Sequence, residues 1–293
     1  MTGLKTILAA IALAGILSTG VGDAQRFEKP HSGASNSCCA TEVSNQPMQS
    51  ARLALVIGNS SYPDADVPLA QTVNDARALA STLRKDGFDV DLVQDATGEA
   101  MARAIARLKA KVRSDSTVMV YFGGFGAQSD GQSYMIPVDA KIWYEDDVRR
   151  DGVSIDRLLS ELKDSGARIR LAVIDASRRN PYERRFRSYS HGLAPIEAGE
   201  DALILTSMPP GQVVNDAGGS RSLLISALLD EMNCSTASVE QVFSGTRLTV
   251  ARETQNQQIP AVSSSLIDDV KFGPAPATAV VSSGRYSSVD RRT

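Results

Sequence analysis

With 293 residues and 42% hydrophobic side chains, the chain can bury a real core as one large or two modest domains. A formal net charge of -3 and a sequence pI near 5.5 leave no electrostatic footprint for nucleic acid. A histidine-dependent mechanism has only His31 and His191 to draw on.

The amino terminus has the pattern of a secretory signal. Lys5 supplies the positive region, Ile7 to Leu17 the apolar core, and Gly22-Asp23-Ala24 the small residues of a cleavage site. Residues 1–24 are therefore expected to be a signal peptide and the protein to be secreted or periplasmic, with an uncleaved amino-terminal anchor as the rival reading. The run is too short for an ordinary spanning helix, and nothing else in the chain reads as a span. Residues 25–51 are polar, poor in large apolar side chains, and read as a flexible tether. Cys38 and Cys39 are adjacent and would bridge each other only with strain, and Cys234 follows a helix. They read as unremarkable thiols, with an intermolecular disulfide as the alternative. No metal-ligand spacing appears anywhere, and no cofactor is expected.

The folded region, 52–273, alternates strand and helix. Leu53 to Ile57 is a continuous apolar strand, and Val73 to Lys85 has helical spacing and stops at Asp86-Gly87. Phe88 to Val93 alternates in polarity like an edge strand, and Glu99 to Val112 is a periodic helix. Thr117 to Phe122 is a buried strand running into Gly123, Gly124, Phe125 and Gly126. Gly131 to Ala140 reads as a short extended piece and turn, Glu145 to Asp147 as an acidic loop, and Ile155 to Leu162 as a helix. Ile169 to Ile174 is a second short apolar run, interrupted only by Arg170, and ends in Asp175, Ala176 and Ser177. The loop Arg178 to Ala198 carries five arginines between Arg178 and Arg187, expected to be a solvated surface. Ala202 to Thr206 is a strand, Ser222 to Met232 and Val239 to Arg252 are helices, and Leu266 to Phe272 is expected to be the last strand. Residues 274–293 are rich in Ser, Ala, Pro and Gly and read as a disordered tail. The alternation predicts an α/β fold: a three-layer α/β/α sandwich around a mainly parallel sheet of about six strands.

Two buried strands that open onto one crevice outline a ligand site at their carboxyl ends. The residues there resemble the caspase-like cysteine peptidases, the clan of caspases, metacaspases and their bacterial relatives. The likeness runs through RLALVIGNSSY, PLAQTVNDARALASTLRKDGFDV, VYFGGFGAQSDGQSYMIPVDA, LAVIDASRRNP, HGLAPIEAGEDALILTSMPPGQVV and QIPAVSSSL, taken in this order. It implies a histidine base in a Gly-His-Gly loop and a cysteine nucleophile in Asp-x-Cys. Here Phe125 stands at the histidine position and Ser177 at the cysteine position.

In that dyad the imidazole takes the thiol proton and returns it to the leaving amine, which a benzyl group cannot do at any pH. A serine hydroxyl depends on a partner base even more than a thiol does. Dismantling such a unit lowers turnover on the order of 10⁶-fold, so the domain is expected to be a dead peptidase. Backbone N–H groups near Gly126 remain as oxyanion-type donors. His191 lies 14 residues beyond Ser177 on a loop and reads as a solvated side chain; a slow hydrolase using Ser177 is the alternative it leaves open. The resemblance also implies an acidic pocket for Arg or Lys, whose two carboxylates fall on Asp75 and Asp175, with Gly123 in its wall. Asp75 reads equally as a helix cap, and Asp175 as a buried, hydrogen-bonded strand end. The glycines of 123–126 also suggest a phosphate loop, but the Lys-Ser/Thr that motif needs is missing. The expected partner is a protein or peptide, with basic segments as candidate ligands.

Overall fold

The computed structural model describes residues 50–179, 181–182, 185, 192–214, 219–233 and 237–273. The stretch expected to be a signal, nearly all of the expected tether, both histidines, the three cysteines, Arg184, Arg187 and residues 274–293 lie outside the described residues.

The elements run β1 (Arg52–Gly58), α1 (Ala70–Lys85), β2 (Asp89–Gln94), α2 (Gly98–Lys111), β3 (Thr117–Gly123), β4 (Gly126–Ser129), β5 (Gln132–Met135), α3 (Glu145–Asp151), β6 (Val153–Ser154), α4 (Ile155–Asp164), β7 (Ile169–Asp175), β8 (Ala202–Thr206), α5 (Leu223–Met232), α6 (Val239–Glu253) and β9 (Ala261–Ser264). A six-stranded sheet has the order β2-β1-β3-β7-β8-β9 and is parallel except for β9.

Strand side chains alternate between the two faces, so one apolar strand feeds two cores. Met119 and Tyr121 of β3 point into a cluster with α1, α5 and α6, through residues such as Leu79, Leu228 and Phe243. Val118, Val120 and Phe122 point into the opposite cluster, with Met101 and Leu108 of α2 and Leu158 and Leu162 of α4. Every residue of β3 and β7 is buried, which is why both lack polar alternation. The edge strand β2 is half-exposed, and its Asp89 and Asp91 are tied to Lys111 and Arg107 of α2 at 2.6 and 2.7 Å. Serine or threonine side chains cap four helices: Thr97 for α2, Ser154 for α4, Ser222 for α5 and Ser238 for α6.

Three expectations change. The acidic stretch Glu145 to Asp147 is the first turn of α3, where carboxylates meet unpaired backbone N–H groups; Asp147 accepts from Trp143 and Tyr144 at 2.9 and 3.0 Å. The last strand is Ala261–Ser264, not Leu266 to Phe272; in the latter stretch Leu266, Val270 and Phe272 instead pack against the α5–α6 core. The glycine loop after β3 continues into a second, antiparallel sheet, β4-β5-β6. Its hairpin turns at Asp130-Gly131, both at positive φ, the conformation Asp-Gly turns favour.

Candidate functional site

Parallel pairing in register puts Gly58, Gly123 and Asp175 side by side at the ends of β1, β3 and β7. Beyond the strands the two key loops stay joined. The Gly124 N–H donates to the Asp175 carbonyl at 3.3 Å and the Gly126 N–H to the Ala176 carbonyl at 3.0 Å. A side chain on Gly126 would meet Leu193 Cδ2 at 2.6 Å, so only glycine allows this approach. The Gly126 N–H, the oxyanion-type donor expected from the sequence, is thus engaged with Ala176.

Phe125 sits in an apolar cluster with Tyr62, Ile136, Ile142, Val148 and Tyr182. Its ring centroid lies 4.7 Å from that of Tyr62 at 53°, a tilted aromatic pair. The Tyr62 hydroxyl accepts from the Phe125 N–H at 3.1 Å and donates to the Ile136 carbonyl at 2.8 Å. The benzyl group therefore completes a hydrophobic layer over the strand ends. Ser177 is fully buried, and its Oγ has no hydrogen-bond partner among the described residues. Its N–H lies 3.4 Å from Ser207 Oγ, and its carbonyl accepts from the Val214 N–H at 2.7 Å. No base reaches the hydroxyl within the described residues, and solvent does not touch it.

Asp75 and Asp175 are both buried, and the charge of Asp175 is felt at Asp75. Asp75 does not cap its own helix. Its two carboxylate oxygens each accept from the Ser222 N–H at 3.1 Å, at the start of α5, and Asn74 donates to the Ser220 carbonyl at 2.9 Å. The Asn-Asp pair of α1 thus holds the entry to a different helix. Burial first, then the charge of Asp175, pushes the Asp75 carboxyl up to about 7. Asp175 pairs with Arg178: Nη2 lies 2.8 Å from Oδ2, with the two side chains 4% and 2% exposed. Arg178 Nη1 also donates to the Asp175 carbonyl and lies 3.5 Å from the Gly124 carbonyl. Gly123 lies beneath this group; a Cβ there would collide with the Tyr121 hydroxyl and stand 3.1 Å from its Cζ. The Tyr121 hydroxyl is buried without a hydrogen-bond partner among the described residues, and burial, reinforced by the charges of Asp175 and Asp75, holds its pKa well above the usual phenol value.

The structure therefore brings together Asp75, Asp175 and Gly123 in one buried group, with Phe125, Gly126 and Ser177 on the adjoining loops. Arg178 was missed as part of this group, having been read with the solvated arginine run. It is buried, and Arg185 is also held, against Asp64 at 3.3 Å and over the Trp143 ring at 4.6 Å; only Arg179 is exposed among the described arginines of that run. The available signal for Arg178 was an acidic strand end followed three residues later by arginine. Among the described residues no group of three His, Cys, Asp or Glu side chains is disposed to hold a metal, and no helix is long and apolar enough to cross a membrane.

Comparison with known proteins agrees with this architecture. Residues 51–271 match the family model for the caspase domain. The chain is 27% identical over 146 residues to the mouse (Mus musculus) mucosa-associated lymphoid tissue lymphoma translocation protein 1 homolog. It is 26% identical over 146 residues to the human (Homo sapiens) protein of that name. Each match covers 48% of this chain and 17% of the relative's own length, so the chain spans only a minor part of those proteins. The family match over three-quarters of the sequence, on a six-stranded mainly parallel sheet with helices on both faces, identifies the chain as a member of the caspase-domain (peptidase C14) family.

Proposed function

We propose that this protein is an exported pseudopeptidase, a caspase-family domain that holds a basic segment of a protein partner without cutting it. The observation that carries the proposal is the pair at the two catalytic positions: an aromatic ring committed to an apolar cluster, and a buried serine whose hydroxyl has no partner among the described residues. Neither supplies the proton transfer that amide cleavage needs. The acidic character of the pocket survives this loss. Asp75 and Asp175 place two carboxyl groups beside one guanidinium, so the group gains an excess of negative charge, favouring a further cation, as Asp75 ionises above about pH 7. Export rests on Lys5, the apolar run Ile7 to Leu17 and the small residues Gly22 to Ala24.

Two measurements test the reading. Fluorogenic peptides with Arg or Lys before the scissile bond are cleaved no faster by the wild type than by Ser177→Ala; a rate that needs Ser177 refutes inactivity. Calorimetric titration with an Arg-containing peptide at millimolar concentration detects binding that Asp175→Asn abolishes; no binding, or equal binding by the variant, removes the recognition claim. Amino-terminal sequencing of protein recovered from the cell envelope tests export, and an intact Met1 refutes cleavage.

A further inference from the structure

The acidic group at the strand ends already contains a guanidinium. Arg178 lies three residues beyond Asp175, pairs with it at 2.8 Å, and caps the carbonyl ends of β7 and the glycine loop through Nη1. Its charge is also felt by Asp75 across the group. The backbone secures it there. Arg178 forms a parallel bridge with Val214, and the Val214 N–H donates to the Ser177 carbonyl at 2.7 Å. Leu193, packed against Gly126, is itself held by a bond from the Gly211 N–H to its carbonyl at 2.9 Å. Asp75, Asp175, Ser177 and Arg178 are all buried as a result.

Resting on the acidic-pocket reading above, we propose that Arg178 is a built-in occupant of that pocket, an internal guanidinium that an incoming Arg or Lys side chain must displace. Arg178 presents the same planar donors that an arginine ligand would bring, and the positive charge that a lysine would, to the same carboxylate. Binding then requires two changes: Arg178 swings out, and the bridge between Arg178 and Val214 opens to let it go. A pocket that is vacant for only a small fraction of the time binds its ligand more weakly by that fraction; vacancy of about one part in a hundred weakens apparent affinity ~100-fold. The segment 208–214 becomes the latch of the site, and a partner that peels it away would expose the acidic pair.

The test uses the full chain and two small probes, Nα-acetyl-arginine amide and its uncharged citrulline counterpart. Removing the guanidinium outright leaves two buried carboxylates facing each other, so Arg178→Gln, which keeps a donor at the site, is measured beside Arg178→Ala. The proposal expects the arginine probe to bind the Arg178 variants at least ~10-fold more tightly than the wild type and to raise their melting temperature. The citrulline probe does neither. Equal affinity in the wild type and a folded Arg178 variant, with binding lost in Asp175→Asn, overturns the internal occupant and leaves the acidic pocket standing. No binding by any folded variant overturns the pocket and the occupant together.

Discussion

Asp75→Asn isolates a carboxyl group whose titration the fold moves into the neutral range. The carboxylate is buried beneath the start of α5, facing the Ser222 N–H from α5, Arg221 at 4.0 Å, and Asp175 with Arg178 at the end of β7. Burial is the larger influence and the Asp175 charge the next, and together they raise the folded carboxyl from 3.8 to about 7. Between those two values the folded protein keeps a proton that the unfolded chain has released. The stabilisation is therefore complete below the unfolded value, declines as pH rises toward 7, and is gone above it. Each pH unit in that window is worth about 1.4 kcal/mol, so the wild type loses roughly 3 kcal/mol through this one group between pH 5 and pH 8. Asparagine keeps an acceptor for Ser222 and cannot ionise. Urea unfolding at pH 5, 6, 7 and 8 is the assay, read as the difference between the two pH profiles, because every other carboxylate contributes to both. The variant should equal the wild type at pH 5 to within about 1 kcal/mol and exceed it at pH 8 by about 2–3 kcal/mol. Parallel profiles would refute the argument that Asp75 holds a proton at neutral pH.

Other substitutions probe the same strand ends. Tyr121→Phe removes a buried hydroxyl that has no hydrogen-bond partner among the described residues, and should be neutral or stabilising by about 1 kcal/mol in urea unfolding. Gly123→Ala puts a methyl group against that hydroxyl and should destabilise by about 1–3 kcal/mol, with Tyr121→Phe recovering much of the loss in the double variant. Additive effects of the two changes would show that the clash is relieved elsewhere. Ser222→Ala deletes the cap that accepts from Ile225 and should cost about 1 kcal/mol, measured by the same unfolding curves. Phe125→His with Ser177→Cys restores the two side-chain types and should give measurable cleavage after basic residues; a folded, inactive double variant would mean that closure over position 177 suffices to block the chemistry.

Much of this molecule was legible in the sequence because its central strands carry one message. TVMVYF and IRLAVI have no polar alternation, and that is possible only for strands covered on both faces. The helix starts were legible wherever a serine or threonine preceded a periodic run, as at Ser222 and Ser238. Misreadings came where local composition and tertiary context disagreed. Ala261–Ser264 carries no strand pattern of its own, yet β8 supplies a hydrogen-bonding edge and the stretch becomes a strand. Leu266, Val270 and Phe272 looked like strand residues, but their apolar side chains close over helices instead. At the site, the loss of imidazole and thiol was readable from Phe125 and Ser177 alone. The burial of Arg178 was not, because a run of arginines normally marks solvent, and only the fold returns the first of them to Asp175. Likewise Asn74-Asp75 reads as a cap for the helix it lies in; its real partner, Ser222, is 147 residues away.

The pair of backbone bonds joining the glycine loop to the segment after β7 has a mechanical consequence. Gly124 reaches Asp175 and Gly126 reaches Ala176 as though the sheet ran on past its own ends. Neither wall of the crevice can swing outward alone; both must travel as one plate, or two amides are stripped of their acceptors. Deuterium should therefore enter Gly124 and Gly126 together and slowly, at rates closer to those of the central strands than of a surface loop.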